Sequence, residues 1–253
     1  NNYVCFGSEE SVCPEDNLYR IIGVMPTQSE VEGEYENRVK LIKSTPYVET
    51  ESGYLKSTTY TKSRFGYNWS AIVNNNKWEE STLNIIVLNG VYWDNLGDFQ
   101  KYISPTLWYL GAPQFYSANY PNLNPEHYYV NERSNKLVFS EGVINYVNYI
   151  GLMYPSDYAY SIGSSYRNSS INSNKNNYIA LAWLYTLENK YYEWLLNGEG
   201  SGLRSGMIDA SGIVNGLMNA AYAYIVRPTF YLKSNVFYKS GIGTQENPYR
   251  IGI

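Results

Sequence analysis

Two apolar segments in the carboxyl-terminal third constrain the fold most strongly, because they enclose a long polar segment. The first is YYEWLL at 191–196, and the second is VRPTFYL at 226–232. Residues 197–219 between them are rich in Gly, Ser and Asn, a composition that favours loops and hairpins over core. The pattern predicts a loop-rich surface held between two buried strands. Binding proteins often place their variable contacts on such held loops.

Composition narrows the class of protein further. The chain has 253 residues, enough for one large domain with a substantial core, and 29 of them are Tyr. Tyrosine combines a flat apolar ring with a hydroxyl at little entropic cost, so an excess on the surface suits recognition of sugars or proteins. AT-rich codons would raise Tyr and Asn together without any such role, and the sequence leaves both explanations open.

The charge distribution argues against two classes of partner. The formal net charge is −4 and the sequence pI is about 5.2, so neither a nucleic-acid groove nor a basic membrane patch is expected. Lys40 and Lys43 form the nearest thing to a cluster and are expected on the solvated face of a strand. No run is long and apolar enough to span a bilayer, so membrane attachment is expected only through a removed amino-terminal anchor.

The two cysteines lie close together near the amino terminus. Cys5 and Cys13 fit one small disulfide-closed loop, which would place the protein outside the cytosol, although two reduced thiols remain the alternative. A zinc site needs about four ligands, and the chain has a single histidine, His127. We therefore predict no metal and no cofactor, while an oxygen-lined calcium site in a loop would leave no sequence signature.

The amino-terminal half contains signals for both strands and helices. Residues 18–24 and 38–43 are rich in β-branched and apolar types and predict a hairpin, with the acidic segment 30–36 as its loop. Residues 78–103 predict two helices, the first ending at Asn89-Gly90 and the second ending before Pro105.

Four further elements are expected in the carboxyl-terminal half. These are a buried strand at 150–153, a helix beginning at 155–160, a hairpin over 206–214 that turns at Ser211-Gly212, and a final strand over 224–232. The Ser- and Asn-rich segment 161–177 is expected to be an exposed loop. Trp194 is expected in the core, and Arg227 is expected to donate structural hydrogen bonds to nearby carbonyls.

The order of several motifs resembles a known family. WEESTLN at 78–84, LNG at 88–90, IGLM at 150–153, EWLL at 193–196 and VRP at 226–228 resemble bacterial C-type-lectin-like domains related to formylglycine-generating enzymes. NLYRIIG at 17–23, YPSDY at 154–158 and YLKSNV at 231–236 are similar to pilin-linked surface proteins of gut Firmicutes. The resemblance covers almost the whole chain.

The resemblance implies an α+β, C-type-lectin-like fold with a small twisted antiparallel sheet, two helices and long loops. It implies a single domain over 1–253, with an amino-terminal hairpin and disulfide loop at 1–43, a helix pair at 78–103 and a lectin-like core with candidate variable loops at 178–253. Some proteins of this fold are varied by diversity-generating retroelements near the carboxyl end, which makes 197–224 the candidate diversified face.

Nine residues are candidate ligand contacts, and for each the alternative is an ordinary loop or strand residue. They are Tyr192, Asn197, Leu203, Arg204, Met207, Asn215, Met218, Tyr222 and Tyr224.

An enzymatic role is not expected. Formylglycine-generating enzymes use active-site cysteines, and this chain has none after Cys13. No nucleophile motif surrounds His127, and the carboxylates show no spacing that requires a glycosidase pair. The calcium motifs of animal C-type lectins are also not matched by WDN at 93–95 or NPE at 124–126.

Two functions from different classes follow. The first is an extracellular binding module, displayed at the cell surface or on a pilus, that recognises a protein or glycan through its carboxyl-terminal loops. The second is a structural pilus or surface-layer subunit, in which Tyr-rich faces pack against neighbouring copies.

Overall fold

The computed structural model has an α+β fold built from several small antiparallel sheets and short helices. The structure describes residues 1–28, 33–49, 66–71, 75–110, 125–132, 145–162, 183–185, 192–198, 204–210, 212 and 214–253. Within them, the strands are β1 Tyr3–Cys5, β2 Leu18–Gln28, β3 Tyr35–Lys43, β4 Tyr67–Asn68, β5 Thr106–Tyr109, β6 Asn145–Asn148, β7 Glu193–Gly198, β8 Arg204–Ile208, β9 Val214–Asn219, β10 Ala223–Tyr224, β11 Thr229–Tyr231, β12 Phe237–Ser240 and β13 Arg250–Gly252.

The described helices are short. Those with α geometry are α1 Trp93–Asn95, α2 Pro125–Glu132 and α3 Pro155–Tyr160. A π-helix covers Leu83–Tyr92, and 3₁₀ turns cover Glu15–Asn17, Trp78–Glu80 and Gly97–Tyr102.

The main sheet has the strand order β1-β2-β3-β11, and all its neighbours are antiparallel. Strands β2 and β3 form a long hairpin, which confirms the predicted pair of early strands. The strands are longer than predicted, since β2 continues to Gln28 and β3 begins at Tyr35. A register shift between Ile21 and Gly23 marks a β-bulge, which increases the local twist.

Both faces of the main sheet are covered around residues 40–43, and this overturns the expectation for the two lysines. Leu41 packs in one buried apolar cluster and Ile42 in the other. Lys40 is fully buried and Lys43 is 4% exposed, so neither lies on a solvated face. Lys43 donates to the backbone carbonyl of Asp16, and burial lowers the pKa of Lys43 although Asp16 opposes that shift.

The helical segment after residue 78 also differs from the prediction. A π-helix runs through Asn89-Gly90 and continues directly into α1, so that dipeptide ends no helix. The buried residues of this helix are Leu83, Asn84, Val87, Leu88 and Tyr92, a spacing that a π-helix and an α-helix share. The predicted boundary is wrong because the Asn89 side chain bonds to Asn84 and Ile150 while the helix continues past it.

A hydrogen-bonded network of three asparagines supports the π-helix, in which backbone hydrogen bonds join residues five positions apart. The Asn84 and Asn89 side chains are five positions apart, and Nδ2 of Asn89 donates to Oδ1 of Asn84 over 2.8 Å. Asn148 donates to the same oxygen from β6. The Asn89 amide also exchanges two hydrogen bonds with the backbone of Ile150, as a neighbouring strand would.

Residues 150–153 are buried, but they are not the strand that we predicted. The backbone of Ile150 is paired by the Asn89 side chain, and only Gly151 forms a β-bridge, with Thr229. The ring of Trp108 packs where a Gly151 Cβ would stand, at 2.9 Å. This close approach requires glycine.

The second sheet has the order β7-β8-β9. Strands β8 and β9 form the predicted hairpin, with Gly212 between them at positive φ. Trp194 on β7 is fully buried, as predicted, and its indole donates to the carbonyl of Tyr67. The predicted last strand is instead divided into β10 and β11, which belong to different sheets. Arg227 and Pro228 lie between these two strands.

The two ends of the described chain lie side by side. A disulfide joins Cys5 to Cys13, as predicted. Strands β12 and β13 form a hairpin, and Tyr249 just before β13 exchanges backbone hydrogen bonds with Tyr3 and Cys5. Arg250 donates to three carbonyls of the disulfide loop, those of Ser8, Glu10 and Ser11. The amino-terminal loop and the carboxyl-terminal hairpin thus form one continuous structure.

Many of the tyrosines lie in the core. The hydroxyls of Tyr19 and Tyr92 share a buried hydrogen bond of 2.6 Å. Burial raises the pKa of Tyr19 and Tyr92 well above the usual range, and it raises the pKa of Tyr47 to about 12. Burial also raises the pKa of Tyr67 and the pKa of Tyr224.

We expect alkaline pH to unfold the protein cooperatively. A tyrosine whose pKa is raised in the folded state stabilises that state fully below the unfolded pKa of about 10 and loses this contribution as the pH rises above it. A spectrophotometric titration should show the exposed tyrosines ionising first and the buried group ionising only with loss of circular dichroism. Ionisation of all tyrosines near pH 10 with the fold intact would contradict the burial described above.

Candidate functional site

Three of the nine predicted contact residues are buried. Asn197 is fully buried on β7, Met207 is 1% exposed on β8 and Tyr224 is 2% exposed on β10. The Tyr224 ring packs against Trp194 with a centroid separation of 4.4 Å. These three side chains belong to the core and present no surface to a ligand.

Two predicted contact residues lie closer to solvent. Tyr222 is 53% exposed, whereas Tyr192 is partly buried and packs edge-on against Tyr224 at 5.2 Å. The backbones of Arg204, Asn215 and Met218 lie in β8 and β9. Leu203 lies outside the described residues. The structure therefore brings Tyr192, Tyr222 and Tyr224 together, and Tyr222 is the most accessible of the three.

A buried ion pair holds the ends of this region together. Arg227 donates from Nε and Nη2 to the two carboxylate oxygens of Glu193, at 2.7 and 2.9 Å, and also to the carbonyl of Leu184 at 2.7 Å. The predicted bonding to carbonyls is thus present, together with a carboxylate that we did not predict. Burial raises the pKa of Glu193, and Arg227 opposes that shift.

An apolar cavity lies elsewhere, between the main sheet and the β12–β13 hairpin. Its volume is about 320 Å³. The floor is formed by side chains from all three amino-terminal strands, Val4, Ile21 and Val39. The hairpin side is formed by apolar and aromatic residues, namely Leu232, Val236, Phe237, Tyr238, Tyr249 and Ile251.

The rim of this cavity combines exposed aromatic rings with polar groups. Phe237 and Tyr238 are 53% and 63% exposed. Asn37, Arg38, Lys233 and Ser234 also line the cavity. Pockets that bind organic groups are commonly apolar, with a few polar groups that orient the ligand.

The sequence carries a signal for one wall of this cavity. Val236, Phe237 and Tyr238 are of types favoured in strands, but no strand was predicted there. The cavity forms because Tyr249 pairs with the backbone of β1, and local sequence periodicity does not predict such a long-range contact.

In the described ranges, no group of three or more His, Cys, Asp or Glu side chains is arranged to hold a metal ion. No helix in those ranges is both long and apolar enough to cross a membrane. The backbone of residue His127 lies in α2.

Comparison with known proteins gives no family assignment. No family model matches this chain, and neither curated proteins nor solved structures gave a match.

We expect replacement of Arg227 to destabilise the protein strongly. The Arg227→Met variant leaves the Glu193 carboxylate buried without its partner, and the free energy of unfolding should fall by about 3–5 kcal/mol. Urea denaturation measures this loss. In the matched control Lys77→Met, the partner carboxylate of Glu80 is half exposed, and the change should stay below about 1 kcal/mol.

A second variant separates loss of charge from loss of packing. Arg227→Met combined with Glu193→Leu removes both charges, and it should recover part of the stability lost in the single variant. A single variant that loses no more stability than Lys77→Met would show that the ion pair does not hold this region together.

Proposed function

We propose that the protein is an extracellular binding module, displayed at a cell surface or on a pilus, with a C-type-lectin-like fold. The disulfide supports a location outside the cytosol, where such bonds persist. The α+β architecture, with an antiparallel sheet joined to the chain ends and buried framework segments at 193–196 and 226–232, is compatible with the proposed fold.

The observation that carries this proposal is the apolar cavity beside the carboxyl-terminal hairpin. Its apolar floor belongs to the buried sheet, while exposed Phe237 and Tyr238 lie at its rim. A rigid floor and accessible aromatic rings reduce the ordering entropy that binding must overcome. This cavity, rather than the face that contains the buried residues Asn197, Met207 and Tyr224, is the binding site we propose.

We assign a protein partner that inserts an apolar side chain. Apolar and aromatic residues outnumber the polar ones in the lining, whereas a sugar ring needs several hydrogen bonds to replace those it makes with water. Buried apolar or aromatic anchors inserted into pockets commonly carry the binding energy of protein interfaces.

A structural subunit role is the second candidate, and a separate observation favours it. Four large apolar side chains are exposed on or beside the carboxyl-terminal hairpin: Phe237, Tyr238, Ile242 and Ile253. An apolar patch of this kind is a common feature of protein interfaces, including those between identical subunits.

A substitution that fills the cavity tests the binding function. In Val39→Phe, the added ring occupies empty space on the cavity floor, and affinity should fall at least tenfold, about 1.4 kcal/mol. The matched control is Val24→Phe, since Val24 is the cross-strand neighbour of Val39, is 63% exposed and does not line the cavity.

The probes are peptides from a phage-displayed random library selected on the wild-type protein, and calorimetry then compares the three proteins. Selected peptides should share an apolar or aromatic residue and should bind Val24→Phe like wild type. A glycan array run in parallel identifies a sugar ligand instead, provided that Val39→Phe abolishes its signal. Equal binding to all three proteins, or no ligand from either library, would refute the cavity as a binding site.

Sedimentation velocity distinguishes the structural role. Self-association at micromolar concentration that is lost in Phe237→Ser, but retained in Val39→Phe, would favour a subunit packed through the hairpin. A monomer at all concentrations would argue against the subunit role. The peptide calorimetry would then test the binding function alone.

A further inference from the structure

A lysine and an aspartate meet in the core at a distance that brings their reacting atoms together. Nζ of Lys40 lies 2.5 Å from Oδ2 of Asp157. Lys40 belongs to β3 and Asp157 to α3, 117 positions away along the chain. Both side chains are fully buried. Because Oδ2 is bonded to the carboxyl carbon, the lysine nitrogen also lies in van der Waals contact with that carbon.

Aromatic rings surround this pair and exclude water. The centroids of Tyr154, Tyr231 and Trp108 lie 4.4, 5.2 and 5.4 Å from Nζ of Lys40. An ion pair in such surroundings has lost the hydration of both charges, a desolvation penalty that only good geometry offsets. Conversion of the two charged groups into one neutral group removes that penalty.

The two carboxylate oxygens of Asp157 have different surroundings. The backbone N–H of Tyr154 donates to Oδ2 over 2.8 Å. Oδ1 is buried, and it accepts no hydrogen bond from any residue that the structure describes. Oδ2 therefore accepts from both Lys40 and Tyr154, whereas the charge on Oδ1 is buried without a donor among the described residues.

We propose that Lys40 and Asp157 condense spontaneously to an amide that cross-links β3 to α3. Proton transfer from Nζ to Oδ2 gives a neutral amine and a carboxylic acid, and the nitrogen lone pair attacks the carboxyl carbon. The electron pair displaced from the carbonyl bond resides on Oδ1. The carbonyl bond then re-forms as the bond from the carbon to Oδ2 breaks, and Oδ2 takes a second proton from the nitrogen.

The atoms balance without any further reactant. Of the three ammonium protons, two leave with Oδ2 as water and the third remains on the amide nitrogen. The fold supplies the proximity, which replaces a bimolecular encounter with an intramolecular one. Exclusion of bulk water disfavours the reverse hydrolysis.

The other lysine–carboxylate pairs in the described ranges lack this environment. Lys43 lies 3.4 Å from Asp16, whose side chain is 90% exposed, and Lys77 lies 3.3 Å from Glu80, whose side chain is 50% exposed. Water solvates both carboxylates, so each pair is expected to remain unlinked. They serve as internal controls in the same sample.

Mass spectrometry of the denatured wild-type protein tests the proposal directly. The intact mass should be lower than the sequence mass by one water molecule, in addition to the two hydrogens lost in the disulfide. Trypsin should fail to cleave after Lys40, and a branched peptide should join residues 39–43 to residues 137–167. Fragmentation should place the link between Lys40 and Asp157.

The matched variant Lys40→Arg retains the positive charge but forms no such amide. Its intact mass should match its sequence apart from the disulfide. If this variant fails to fold, the branched wild-type peptide still decides the matter. A wild-type protein that has its full sequence mass, less only the disulfide hydrogens, and gives linear peptides after cleavage at Lys40 would overturn the proposal and leave an ion pair.

Discussion

The structure depends on β3, because this strand is paired on both edges and covered on both faces. It lies between β2 and β11, and its residues Leu41 and Ile42 pack into the two separate apolar clusters. The side chain of Lys40, in the buried half of this strand, is not accessible to water, so its charge requires a buried partner. Asp157 supplies it, and the position of α3 against the sheet follows from that requirement.

A second buried pair joins distant segments of the chain at the β7-β8-β9 sheet. Arg227 follows β10, and its guanidinium contacts both carboxylate oxygens of Glu193 at the start of β7. Its third bond, to the carbonyl of Leu184, attaches a further segment of the chain. The planar fork of arginine suits this arrangement, because lysine would offer a point charge and no bidentate contact. Each core cluster is therefore anchored by a buried pair: Lys40 with Asp157, which we propose to be cross-linked, and Arg227 with Glu193, which form an ion pair.

Sequence patterns predicted the elements whose contacts are local. The β2–β3 and β8–β9 hairpins, the buried Trp194 and the Cys5–Cys13 disulfide all follow from short-range composition. The patterns gave wrong predictions where residues distant in the sequence determine the local structure. Lys40 was predicted at the surface because its buried partner, Asp157, is 117 positions away. Asn89 was predicted to end a helix because its hydrogen bonds to Ile150 are not visible in the local sequence. Asn197, Met207 and Tyr224 were assigned to a ligand face because spacing alone does not distinguish the two sides of a strand.

The location of the cavity follows from how the chain ends are joined. Tyr249 extends the structure beside β1, and Arg250 fixes the disulfide loop, so the β12–β13 hairpin is held at its base and not along its outer strand. Residues 237–240 on β12 are all exposed. A hairpin held in this way can adjust its outer strand over a rigid floor without disturbing the buried ion pairs. Variation in Phe237 or Tyr238 would therefore change what the cavity accepts while the fold stays intact.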